Sequence, residues 1–159
     1  MENFDTLGEE KKILIIRFGA IGDVVHSTII STAIKKKYPL YKIHFLTLPF
    51  IKEMLKNDLN FEKIFEFDNS KKNNLFYLFK LGLALIKENY DVIFNLTNAF
   101  RTNFISFVAN PKKVIKRSKQ RTVALDAFFN SALNFDKTLE YPKNLSIEAG
   151  QVEKDNVLK

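Results

Sequence analysis

The stretch Ile13-Leu-Ile-Ile-Arg17, Phe18-Gly-Ala-Ile-Gly22, Asp23-Val-Val-His-Ser27-Thr28 decides the fold. Ile13 to Ile16 is a short, uninterrupted apolar run, suited to a strand buried on both faces of a parallel sheet. Gly19 and Gly22 break the run at two positions free of Cβ constraint. Beyond them Val24, Val25, Thr28, Ile29, Thr32 and Ala33 recur at helical spacing. The stretch therefore predicts a strand, a tight glycine turn and a helix, with Asp23 in the first helical turn. Backbone N–H groups there lack partners and favour anions. A carboxylate in that turn is either a cap or a reacting group. Arg17 before it and His26-Ser27-Thr28 after it make a polar mouth at the C-terminal end of a first strand. In open α/β sheets that edge is where ligands bind.

The rest of the chain repeats the alternation. Lys42–Thr47 predicts a second strand, and Tyr38-Pro39 closes the helix before it. Lys35-Lys36-Lys37 at that helix end suits the negative pole of the dipole and predicts a solvated terminus. Pro49 opens a short helix to about residue 57, and residues 63–67 alternate as a third strand. His44 is expected to be structural. Asp68-Asn69-Ser70 is turn chemistry, and a helix over about 73–88 carries a wide apolar face. Its aromatic stripe, Phe76, Tyr77 and Phe79, predicts core or domain contact. Residues 91–96 form a fourth strand, followed by Thr97-Asn98-Ala99-Phe100-Arg101-Thr102-Asn103 at the start of the next helix. Right-handed βαβ crossovers bring Asn98, Arg101 and Thr102 to the same sheet edge as Asp23. The basic run Lys112–Arg121 encloses a short strand, and residues 124–133 form one more amphipathic helix. Residues 1–12 are expected to be a leader, 13–138 a Rossmann-like domain of about five parallel strands with helices on both faces, and 139–159 a linker or tail.

Composition bounds the function. The chain has 159 residues, enough for one domain with a substantial core. Its net charge of +7 favours anionic partners: nucleic acid, an anionic membrane face or a phosphorylated substrate. With no cysteine, disulfides and thiolate metal sites are excluded. Residues 1–12 hold no signal-peptide core and no run is long enough to span a bilayer, so the expected location is cytoplasmic. A Gly-x-x-x-x-Gly-Lys-Ser/Thr phosphate loop, a Gly-x-Gly-x-x-Gly fingerprint, a Gly-x-Ser-x-Gly elbow and paired-His metal motifs are all missing. The basic run lacks interleaved aromatics and a nucleic-acid-binding motif, so no nucleic-acid partner is expected. What remains is a carboxylate in a glycine-framed mouth. Asp23 can act as a general base, and the turn amides with the helix N-terminus can assist a departing diphosphate. His26, one turn along, can orient Asp23, bind substrate or simply pack.

The segment Arg17 to Thr28 resembles the N-terminal signature of the ADP-heptose:lipopolysaccharide heptosyltransferases, family 9 of the glycosyltransferases. Tyr38-Pro39, Ile43-His-Phe-Leu-Thr-Leu-Pro49, Tyr90-Asp-Val-Ile-Phe-Asn-Leu96 and Arg101-Thr102 extend the resemblance. The family pattern continues Thr-Pro where Ile29 follows Thr28 here. The resemblance implies the N-terminal, acceptor-side half of a GT-B enzyme, with Asp23 as the base of an inverting transfer that needs no metal or other cofactor. Arg17, Gly19, Gly22, His26, Ser27, Thr28, Asn98, Arg101 and Thr102 are the substrate-binding positions it implies. The implied partners are a lipopolysaccharide-core acceptor, and ADP-heptose held by a C-terminal domain outside these residues or by a separate chain. Peripheral contact with the anionic cytoplasmic face of an inner membrane is also implied. The alternative is a non-catalytic Rossmann-like module that binds an anionic sugar or nucleotide.

Overall fold

The computed structural model describes residues 9–117 and 124–144. Among the described residues ten strands and α-helices alternate: β1 (Lys12–Ile16), α1 (Ile21–Lys37), β2 (Lys42–Thr47), α2 (Pro49–Leu55), β3 (Lys63–Glu66), α3 (Leu75–Ile86), β4 (Val92–Asn95), α4 (Phe100–Ala109), β5 (Lys113–Lys116) and α5 (Ala124–Leu133). The five strands form one parallel sheet in the order β3-β2-β1-β4-β5. It is the Rossmann-like α/β architecture that the alternation predicts.

The period of two along each strand builds two cores. Ile13 and Ile15 of β1, Ile43 and Phe45 of β2, and Val92 and Phe94 of β4 point to one face, where α1, α2 and α5 cover them. Leu14, Ile16, Leu46 and Ile93 point to the other, beneath α3 and α4. Ile13 to Ile16 are completely buried, as an apolar run at the sheet centre requires. Each such side chain contributes on the order of 1.5–3 kcal/mol over exposure. His44 is structural: buried on the α3–α4 face, its Nδ1 lies 2.8 Å from the Tyr90 hydroxyl. Burial lowers its pKa from the ordinary histidine value.

Three expectations are modified. α3 is shorter than the periodicity suggests: the Asn74 side chain accepts a bond from Tyr77 N (3.1 Å) and fixes the start at Leu75, two residues later than expected. The α1 terminus is not simply solvated. Lys36 pairs with Glu140 (2.5 Å), and Lys37 binds Asp136 (2.5 Å) and the Thr138 hydroxyl. Burial opposes the Lys37 charge, but the Asp136 carboxylate outweighs it and raises the pKa. These bonds hold down the segment after α5, which also buries Phe135, Leu139 and Pro142. Tyr141 packs on Phe129 with ring centroids 4.7 Å apart. The first residues assigned to a linker thus belong to the domain surface, while 145–159 and the leader positions 1–8 lie outside the described residues.

Candidate functional site

Strand order changes direction between β1 and β4. The helix leaving β1 crosses one face of the sheet and the helix leaving β4 crosses the other, so a crevice opens at their C-terminal ends. The mouth is stitched closed underneath. Phe18 N donates to Thr97 Oγ1 (2.9 Å), joining the ends of β1 and β4, and Thr47 Oγ1 donates to the Arg17 carbonyl (2.8 Å), joining β1 and β2.

Arg17 and Asp23 form the centre. The chain turns through Gly19 at φ +130°, a conformation L side chains rarely adopt, and a Cβ there would lie 3.6 Å from Arg17 Nη2. This turn lets Arg17 fold back so that its Nη2 donates to Asp23 Oδ2, while Nη1 donates to the Leu96 carbonyl (3.0 Å). The Arg17 side chain is only 10% exposed and that of Asp23 31%. Arg17 Nε is buried without a partner. Burial lowers the Arg17 pKa, with Asp23 acting the other way; at neutral pH a guanidinium stays charged regardless. Asp23 is therefore not a cap. The N-terminus of α1 starts at Ala20 with no side-chain cap, leaving its first amides unclaimed by any side chain. Of the two Asp23 oxygens, Oδ2 is held by Arg17, and Oδ1 takes no hydrogen bond from the described residues.

The other expected positions divide into two groups. Gly22 is exposed in the first turn of α1, with nothing within 4 Å of where a Cβ would be. Asn98 is exposed and left-handed (φ 49°), its backbone N–H held by Asn95 Oδ1 at 3.0 Å. Arg101 is half-buried near the start of α4 and pairs with no carboxylate among the described residues. These three border the mouth. His26 lies one turn beyond Asp23, its Nδ1 buried and unpartnered. By contrast Ser27, Thr28 and Thr102 are fully buried. Ser27 Oγ donates to Val24 O (2.6 Å) and Thr28 Oγ1 to Val25 O (2.7 Å), each bonding back into its own helix. Thr102 Oγ1 accepts from Ala99 N (3.1 Å) and donates to Ala99 O (3.0 Å), closing the first turn of α4.

Two residues were not singled out by the sequence. Phe128 of α5 presents its ring to two cations, with the Arg17 guanidinium carbon 5.6 Å and that of Arg117 4.8 Å from its centroid. Arg117 follows β5 and lies within electrostatic reach of Arg17. The basic composition around it signals charge but not this position; the rest of that run, 118–121, lies outside the described residues. Phe128 carried no signal beyond membership of an apolar helix face.

The arrangement holds one carboxylate by one oxygen, beside the buried Arg17 guanidinium and an uncapped helix terminus. It suits proton abstraction from a hydroxyl beside an anionic group. No helix among the described residues is long and apolar enough to cross a membrane.

No protein-family model matches the chain, and no curated protein matches it. Solved structures do. An E. coli ADP-heptose lps heptosyltransferase II matches with a TM-score of 0.73 at 17% identity, over 91% of this chain and 49% of that one. A glycosyl transferase family 9 protein from Veillonella parvula DSM 2008 matches at 0.71 and 15%, over 82% and 44%. The E. coli heptosyltransferase WaaC with ADP matches at 0.69 and 12%, over 84% and 49%. The chain thus spans about half the length of the structures it resembles, and what it shares with them is the fold of one α/β domain.

Proposed function

We propose that this chain is the acceptor-side half of a heptosyltransferase, transferring heptose from ADP-heptose to a lipopolysaccharide-core acceptor. The observation that carries the proposal is the Asp23 carboxylate, anchored through Oδ2 by Arg17 at the switch point of a glycosyltransferase-like domain. In this scheme Asp23 Oδ1 removes the proton from the acceptor hydroxyl as its oxygen attacks the anomeric carbon. The bond from that carbon to the diphosphate breaks, ADP leaves and the configuration inverts. Arg17 positions the base, and Arg101 and Asn98 bind the acceptor's anionic and hydroxyl groups. Gly19 and Gly22 keep the approach to Asp23 clear. The amides of the first turn of α1 lend positive potential to the leaving group. The ADP-heptose site belongs to a donor-side domain that these 159 residues do not include, whether in a longer chain or a separate one. The enzyme works at the cytoplasmic face of an inner membrane.

A second proposal, a non-catalytic module for an anionic sugar, draws on the same ion pair, which makes Asp23 a counter-ion for a buried arginine. Heptose transfer measured with the chain alone, with a donor-side half added, and with Asp23→Asn in each separates the two. Transfer by the reconstituted pair that drops at least a hundredfold in Asp23→Asn, while acceptor binding and the thermal melt persist, supports the transferase. Acceptor binding with no transfer in any combination supports the module.

A further inference from the structure

α3 reads Leu75-Phe-Tyr-Leu-Phe-Lys-Leu-Gly-Leu-Ala-Leu-Ile86, with one charged residue in twelve. One face does the expected work: Leu78, Gly82 and Leu85 are buried, and Gly82 sits so close to α4 that a Cβ would lie 2.5 Å from Val108 Cβ. The opposite face is equally apolar, and none of the described residues covers it. Phe76 (72% exposed), Phe79, Leu83 and Ile86 recur at helical spacing along it, and on α4 Phe107 stands 81% exposed beside Val108. A helix that is apolar all round is normally buried on all sides. A row of protruding aromatic and aliphatic side chains on two neighbouring helices is a surface meant to be covered.

Charge identifies what covers it. From residue 69 to residue 87 the chain has four lysines, Lys71, Lys72, Lys80 and Lys87, and no acid. Lys80 lies four residues after Phe76, and Lys87 four after Leu83, so each flanks the apolar row one turn along. Of the acids that bound the stretch, Asp68 is paired with Lys71 and Glu88 with Lys12 and Lys63. Glu88 is thereby held below the ordinary glutamate range, Lys63 being the largest cause. A second copy docked on the same face through a two-fold axis would bring the two lysine rims together. An anionic bilayer meets both demands, taking Phe and Leu side chains at the acyl boundary while phosphates neutralise the lysines.

The geometry points to α3, with Phe107 of α4, as an in-plane docking surface for an anionic phospholipid bilayer. The first turn of α3 follows the C-terminal end of β3, so it begins at the sheet edge that carries Asp23. The inference rests on the membrane-face setting of the proposed function and deepens it by naming the surface; its test is separate from the chemistry, because binding to a bilayer needs neither donor nor acceptor.

The test is sedimentation of the full chain with phosphatidylcholine vesicles, with and without one quarter phosphatidylglycerol. Binding is expected only with the anionic lipid and weaker at high salt. Phe76→Ser with Phe79→Ser is expected to lower the partition coefficient more than tenfold, and Lys80→Gln or Lys87→Gln about fivefold each. The chain contains no tryptophan, so Phe79→Trp adds a sole indole whose emission shifts to the blue on insertion. This readout also covers the case in which the serine variant does not fold. No sedimentation of the wild type, undiminished sedimentation of the folded serine variant, or an indole emission unmoved by vesicles would each overturn the inference. So would a serine variant that loses only self-association in analytical ultracentrifugation, which would assign the face to a second copy or another protein.

Discussion

Removing the Asp23 carboxylate leaves the Arg17 charge buried without a counter-ion. Breaking a buried pair by deleting one member costs about 3–5 kcal/mol. Asp23 keeps 31% of its side chain exposed, so solvent screening brings the expected loss for Asp23→Ala to about 2 kcal/mol. Arg17→Met leaves a carboxylate that can reach water, but it strands the Leu96 carbonyl and gives up the contact with Phe128. It is expected to cost about 1–2 kcal/mol. In the double variant neither charge is orphaned, and its loss is expected to fall short of the sum by about 1–2 kcal/mol. Asp23→Asn retains an oxygen that accepts from Nη2 and is expected to cost about 1 kcal/mol, which makes it the suitable variant for testing chemistry. Urea unfolding followed by circular dichroism at neutral pH measures all four. A double variant equal to the sum of the singles within about 0.5 kcal/mol would refute the pair as an energetic unit. Stronger destabilisation by Arg17→Met than by Asp23→Ala would refute the claim that the arginine is the buried, dependent partner.

Gly82→Ala should destabilise by about 1–3 kcal/mol in urea, although glycine to alanine in a helix ordinarily gains up to about 1 kcal/mol; its Cβ would meet Val108 at 2.5 Å. A gain in stability would mean that α3 and α4 are not held this close. Gly22→Ala should leave the melt unchanged or slightly raised, since open space surrounds the new methyl, while weakening acceptor binding at the mouth. Unaltered acceptor affinity in a calorimetric titration would remove Gly22 from the site. Burial lowers the His44 pKa, so the unfolded chain takes up that proton first as pH falls. Its contribution is fully present above about pH 6.5 and is lost as pH falls from there through the lower folded value, by up to about 1.4 kcal/mol per pH unit. Urea stability between pH 7.5 and 5.5 should therefore slope downward in the wild type and flatten in His44→Gln, and parallel slopes would contradict it.

The strands that are easiest to see in the sequence are those buried on both faces. β1 and β4 are solid apolar runs because each has a neighbour on either side and a helix layer above and below. β5 is harder to see. As an edge strand it buries Ile115 and leaves Lys113, Val114 and Lys116 outward, so it hides inside a run that reads as charge. The segment after α5 is hidden for another reason. Phe135, Leu139 and Pro142 are buried without helical or strand periodicity, and Asp136 and Glu140 find Lys37 and Lys36 about a hundred positions earlier. Pairings that distant leave no local pattern. The same holds for Phe128, whose ring meets two arginines that follow separate strands, β1 and β5.

Within the signature itself the structure separates two kinds of polar residue that spacing alone cannot distinguish. Ser27, Thr28 and Thr102 lie on the buried sides of their helices. A hydroxyl buried there without a partner would be costly, and each bonds to its own helix backbone instead. They let α1 and α4 pack tightly while remaining polar. Arg17 and Asp23 do the opposite, spending one guanidinium nitrogen and one carboxylate oxygen on each other at the rim. The carboxylate that remains half-satisfied is the group with capacity for chemistry. On the proposed function the motif combines a scaffold with a reacting group, and substitution at the buried hydroxyls should register first in stability, whereas substitution at Asp23 should register in turnover beyond its cost to the fold.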